Sequence, residues 1–147
     1  YRWLKCHVKS LNLLANVMEK QHAVEQGAKE TILHRDGVVT EGSSTNIFMV
    51  KNEVLFTHPA NNLILNGITR IVVLGLAEEY DIAVREEGFT VSDMSEADEV
   101  FYTSTTQEII PVVKVDGRSV GDGKPGRVTQ QLQEYFNKKI TLLNSVK

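Results

Sequence analysis

The sequence predicts one α+β domain, a curled and mixed β-sheet of hairpins accompanied by about three main helices. Three observations carry that prediction. Asp36-Gly37 and Asp116-Gly117 each stand between short β-like runs and are strong hairpin signals. Val128, Leu132, Tyr135, Phe136 and Ile140 recur at the spacing of one helical face. The chain has 147 residues, 41% of them hydrophobic and 24% charged, enough for one domain with a real core.

Residues 3–8 read as a strand, and Asn12 is an N-cap candidate for the helix after it. Leu13, Leu14, Val17, Met18 and Val24 lie broadly on one side of that helix, with Gly27 placed as its C′ residue. Residues 31–35 and 38–40 flank Asp36-Gly37. A second strand pair, 46–50 and 54–57, is joined across Lys51-Asn52-Glu53, and a loop from His58 to Asn62 leads to Leu63-Ile64-Leu65. The second helix, over 67–80, is apolar on most sides and is expected to be buried against the sheet. Strands follow at 82–86, 99–104 and 109–115, the last turning through Asp116-Gly117 into 118–120. A helical turn is expected at 92–97, and Pro125 at the start of the final helix. No internal repeat or interdomain linker is visible.

The formal net charge of -3 gives no global basic field for nucleic acid or anionic lipid, so neither is expected as a partner. No apolar run approaches the roughly 20 residues that span a bilayer. Cys6 is the only cysteine and cannot form an internal disulfide, which suits a reducing cytoplasm. The four histidines have no metal-site spacing, and neither a P-loop nor a G-x-G-x-x-G motif is present. His22 reads as a partly exposed surface residue.

Four motifs carry chemistry. Thr40-Glu41-Gly42-Ser43-Ser44-Thr45-Asn46 puts one carboxylate, a glycine and several hydroxyls between two β-like segments. Asn66-Gly67-Ile68-Thr69-Arg70 opens a helix, whose free amides form an anion site. Thr103-Ser104-Thr105-Thr106 closes a strand, and Lys9 stands in Cys6-His7-Val8-Lys9-Ser10-Leu11-Asn12. Taken singly, each has an ordinary reading as a solvated turn, a capped helix, a strand end or a surface lysine. In this order they resemble the carboxyl-terminal cofactor domain of the fold-type IV pyridoxal-phosphate aminotransferases, closest to the bacterial D-amino acid aminotransferase branch. The resemblance spans about residues 2–140.

It implies the pseudo-barrel cofactor-domain fold of that family and a role for each matching residue. Lys9 corresponds to the Schiff-base lysine, which also shuttles a proton and is expected to be partly desolvated. Glu41 would keep the pyridine nitrogen protonated. Ser43 and Ser44 would orient the cofactor edge or nearby water, and Leu65 would pack against the ring. Gly67, Ile68 and Thr69 would hold the phosphate, with further donors from Thr105 and from Ser104 or Thr106. The implied reaction is transamination of D-amino acids, typically D-alanine with 2-oxoglutarate giving pyruvate and D-glutamate, in a cytoplasmic homodimer. Members of this family carry a smaller amino-terminal domain before the lysine segment. The chain has none and reads as a single cofactor-binding domain, with the substrate-carboxylate clamp and a phosphate arginine contributed by the missing domain or the partner subunit. A branched-chain L-aminotransferase, an aminodeoxychorismate lyase and a non-catalytic isolated domain are the alternatives.

Overall fold

The computed structural model describes residues 4–145. Helix α1 (Leu14–Glu25) comes first, followed by two hairpins. In the first, β1 (Ile32–Arg35) and β2 (Val38–Gly42) pair antiparallel across Asp36 and Gly37, whose φ angles of 50° and 82° are those of a tight primed turn. In the second, β3 (Asn46–Lys51) and β4 (Val54–Thr57) pair through Lys51↔Val54. The connection there is shorter than expected: Lys51 stays in the strand, and only Asn52 and Glu53 turn, both at positive φ. Helix α2 (Ile68–Glu79), β5 (Val84–Arg85), the short α3 (Val91–Ser95), β6 (Glu99–Ser104) and β7 (Glu108–Val112) come next. The hairpin of β8 (Lys114–Val115) and β9 (Arg118–Ser119) precedes α4 (Arg127–Ser145).

Strand β3 is the hub. It pairs antiparallel with β4 and with β6, and at Asn46 with Glu41 of β2; β6 pairs with β7, and β5 adds to β4 in parallel. The result is a mixed, branched seven-stranded sheet that does not close into a barrel among the described residues. Alternation along β3 and β6 divides the core. Phe48, Val50 and Phe101 face Val73 and Leu76 of α2 and Val128 and Leu132 of α4, with the Phe48 and Phe101 rings stacked at 4.8 Å. Ile47, Met49, Val100 and Tyr102 face the other way, onto Val39, Phe89, Met94 and Val120.

Several expectations are corrected. Leu4–Val8 forms turns rather than a strand: the Cys6 amide donates to the Asn62 carbonyl (2.8 Å) and the Val8 amide to Lys5 (3.0 Å), while Leu4 and Val8 are exposed. Trp3 lies outside the described residues. Asn12 does not cap α1, whose N-cap position is Leu13 without a side-chain bond. That helix buries no residue, and Leu14, Val17, Met18 and Val24 are all exposed. Gly27 at φ 78° does follow its end. Only one side of α2 is buried; Ile68 and Ile71 are exposed because the sheet and α4 cover the opposite side. The strand expected at 109–115 breaks at Val113, beyond Pro111, which has no N–H to extend the ladder. Pro125 lies two residues ahead of α4.

Two buried charges fix the helices. Arg70, 1% exposed, donates to Asn66 Oδ1 (2.9 Å), the His58 carbonyl (2.9 Å) and Glu86 Oε2 (2.7 Å), tying the start of α2 to the preceding loop and to the chain after β5. Glu99 accepts from the amides of Val128 (2.9 Å) and Thr129 (2.8 Å) and from Thr129 Oγ1 (2.7 Å), satisfying the first turn of α4 from a neighbouring strand. Gly126 is required beside it, because a Cβ there would collide with the Glu99 side chain. Glu99→Ala strands three buried donors at once and is expected to destabilise the fold by about 3 kcal/mol or more. The urea midpoint measures this.

Candidate functional site

The turn after β2 builds one wall of a cleft. Glu41 pairs with Asn46 across Gly42-Ser43-Ser44-Thr45, and the Gly42 amide donates to the Thr45 carbonyl at 2.8 Å. The run that reads as a loop in sequence is therefore a strand end and a tight turn. Gly42 leaves room that Thr45 occupies, since a Cβ would strike Thr45 Oγ1. Ser43 is clamped from below: its amide (3.3 Å) and hydroxyl (2.5 Å) both donate to Glu30 Oε1, which also accepts from the Thr31 amide (2.8 Å). Lys20 lies 3.5 Å from the same oxygen.

The opposite wall is the start of α2. Leu65 donates its amide to Glu41 Oε2 (2.8 Å), fixing the buried carboxylate, and its carbonyl accepts from Asn46 Nδ2 (2.7 Å). Gly67 is the N-cap residue and supplies no side-chain bond to the helix. A Cβ at Gly67 would collide with Asn46 Oδ1, so this close approach needs glycine.

Lys9, Glu41, Ser43, Ser44, Leu65, Gly67, Ile68, Thr69, Ser104 and Thr105 all line this one cleft, of about 130 Å³. Thr106 does not; it is exposed in the turn beyond β6. Lys9 reaches the cleft from the irregular segment before α1, but it is exposed, so the described residues do not supply the desolvation expected of it. The cleft also takes in Ser10, Leu13, Asn16, Thr45, Asn46 and Thr103. Asn16 Nδ2 donates to the Ser43 carbonyl (2.9 Å) and links α1 to the turn. Thr45, Asn46 and Thr103 stand inside two of the motifs, and only the register of β2, β3 and β6 turns them toward the cleft. Glu30 has no local signal in the sequence; the fold brings it beneath Ser43.

Burial, and secondarily the negative charge of Glu30, push the phenol of Tyr102 above its ordinary value. The native state therefore keeps this proton more firmly than the unfolded chain. The resulting stability is fully present below the unfolded tyrosine value of about 10 and is lost as pH rises through the native one. Stability to urea is expected to fall as pH is raised above about 10, and less steeply in Tyr102→Phe. Urea midpoints across that range provide the check.

The donor set suits an elongated ligand with an anionic end. Ser10, Thr45 and Thr103 each present a buried hydroxyl oxygen with no partner, the amides opening α2 favour negative charge, and a carboxylate stands at the other wall. Pyridoxal phosphate has this pattern, an anionic phosphate and a protonated ring nitrogen. Among the described residues no group of three His, Cys, Asp or Glu side chains could hold a metal ion, and no helix is long and apolar enough to cross a membrane.

Residues 1–115 match the family model described as amino-transferase class IV. The chain is 55% identical over 139 residues to D-alanine aminotransferase of Staphylococcus haemolyticus, covering 95% of this chain and 49% of that protein. With the enzyme of the same name from Listeria monocytogenes it shares 53% identity over 140 residues, covering 95% and 48%. The chain thus spans about half the length of the curated relatives it matches. The crystal structure of the Escherichia coli branched-chain amino acid aminotransferase superposes with a TM-score of 0.84 at 36% identity, covering 92% of this chain and 48% of that one. The branched-chain amino acid aminotransferase of T.th., solved with pyridoxamine 5'-phosphate, gives 0.81 at 35% identity, covering 85% and 42%. The expected family and fold are both borne out, and the chain belongs to the class IV aminotransferases.

Proposed function

We propose that this chain is the cofactor-binding part of a pyridoxal-phosphate-dependent aminotransferase acting on D-amino acids, with D-alanine and 2-oxoglutarate converted to pyruvate and D-glutamate. The observation that carries the reading is the convergence of Lys9, Glu41 and the start of α2 on one cleft. The likeness to D-alanine aminotransferases supports the choice of substrate.

Bound pyridoxal phosphate supplies an aldehyde and a cationic ring that draws electrons from the substrate Cα. Lys9 would hold the cofactor through its amine and would carry the proton of the substrate Cα. Its amine must be neutral to do so. As Lys9 is exposed among the described residues, the cofactor and the rest of the enzyme must exclude water from it. Glu41 holds the proton on the pyridine nitrogen, and the Leu65 amide keeps its carboxylate oriented. The amides of Ile68 and Thr69 and the Thr69 hydroxyl bind the phosphate, with Ser104 and Thr105 at the same end. Leu65 packs on the ring, while Ser43 and Ser44 orient its edge.

We place the parent enzyme in the cytoplasm as a homodimer. The exposed apolar side chains of α1, Leu14, Val17, Met18 and Val24, support a further layer of protein over this side of the cleft. A second reading, a branched-chain L-aminotransferase, is favoured by the solved structures that superpose on the chain. One experiment separates the two. Pyridoxal phosphate is added to the full-length protein carrying this chain, its absorbance is recorded, and D-alanine or L-leucine is then mixed in. Conversion of the cofactor spectrum by D-alanine alone is expected; conversion by L-amino acids alone would overturn the D-specific reading.

A further inference from the structure

Thr103 is the least exposed residue lining the cleft, at 1%, and its Oγ1 is buried with no hydrogen-bond partner. Burying a hydroxyl in this state is unfavourable unless a ligand completes it. Register shows where it stands. Thr103 pairs with Asn46 across β3 and β6, and neighbouring Phe48 and Phe101, two residues away along each strand, face α2. The Asn46 side chain reaches Leu65 and Gly67, so the Asn46/Thr103 pair adjoins the turn that opens α2. That twelve-residue helix has no side-chain cap. A buried hydroxyl without a partner and a set of uncapped amides therefore meet at one end of the cleft, and the complement to both is an acceptor-rich anion.

The two other hydroxyls at this strand end differ. Ser104 Oγ accepts from the Gln107 amide at 3.1 Å, and Thr105 is exposed. We propose that Thr103 is an anion ligand of the cleft, its hydroxyl donating to the phosphate monoester of the cofactor at the N-terminus of α2. This rests on the pyridoxal-phosphate reading given above and adds to it a phosphate donor from inside the sheet.

The test is Thr103→Val, which keeps the shape and removes the hydroxyl, in the full-length protein carrying this chain. Dissociation constants are measured by absorbance for pyridoxal phosphate and for pyridoxal, the same ring without phosphate. Binding of pyridoxal phosphate is expected to weaken roughly ten- to a hundredfold, and that of pyridoxal by less than about threefold. The cofactor-free variant is expected to melt at the same temperature or higher, because an unpartnered hydroxyl has become a methyl group. Thr103→Ser should retain the preference for the phosphorylated ligand. Equal losses for both ligands, or a lower melting temperature with the preference intact, would overturn the proposal and assign Thr103 to packing. If wild-type protein prefers pyridoxal phosphate and Thr103→Val prefers it equally, the role of Thr103 alone fails. If wild-type protein shows no such preference, the cofactor reading fails and this inference falls with it.

Discussion

In the full-length enzyme, Lys9→Ala is expected to lower turnover of D-alanine with 2-oxoglutarate by at least about a thousandfold. The size follows from the two tasks proposed for one group, anchoring the cofactor and carrying the substrate proton. Lys9 is exposed and lies outside regular structure, so its truncation removes no core contact and should leave the urea midpoint unchanged. A steady-state assay beside the melting curve separates loss of chemistry from loss of fold. Turnover within about tenfold of wild type would move the proton-transfer role to another residue.

Glu41→Gln carries the second large effect. Glutamine can still accept from the Leu65 amide that now bonds Glu41 Oε2 at 2.8 Å, so this contact is kept while the charge is lost. A neutral partner no longer favours the protonated pyridine nitrogen. Cofactor is expected to remain bound while removal of the Cα proton slows by roughly a hundredfold or more. Stopped-flow half-reactions with D-alanine and its Cα-deuterated form measure that step, and an unchanged rate would refute the role.

Local chemistry made much of this molecule legible. Asp36-Gly37 and Asp116-Gly117 form their turns because a small or flexible residue tolerates positive φ at each position. The stripe of Val128 and Leu132 is buried as its spacing demands, with Tyr135 and Phe136 packed against it. The site was legible as motifs, since the Glu41 run, the start of α2 and the end of β6 are each continuous in sequence. Long-range partners were not. Glu30 reaches Ser43 across thirteen positions, and Thr103 acquires its place from strand pairing with Asn46. The apolar side of α1 was legible as a face but its exposure was not, because periodicity shows that a face exists and not what covers it. At residues 3–8 apolar content suggested a strand, yet pairing needs a neighbouring sheet edge, and Cys6 bonds the Asn62 loop instead.

Under the proposed function, the cleft between the Glu41 turn and the start of α2 holds pyridoxal phosphate on Lys9. Borohydride reduction of the full-length enzyme with its cofactor, followed by proteolysis and peptide mapping, identifies the lysine that carries it. A pyridoxyl label confined to Lys9 is the predicted result; a label on Lys20, Lys29 or any other lysine, with Lys9 unmodified, would contradict it.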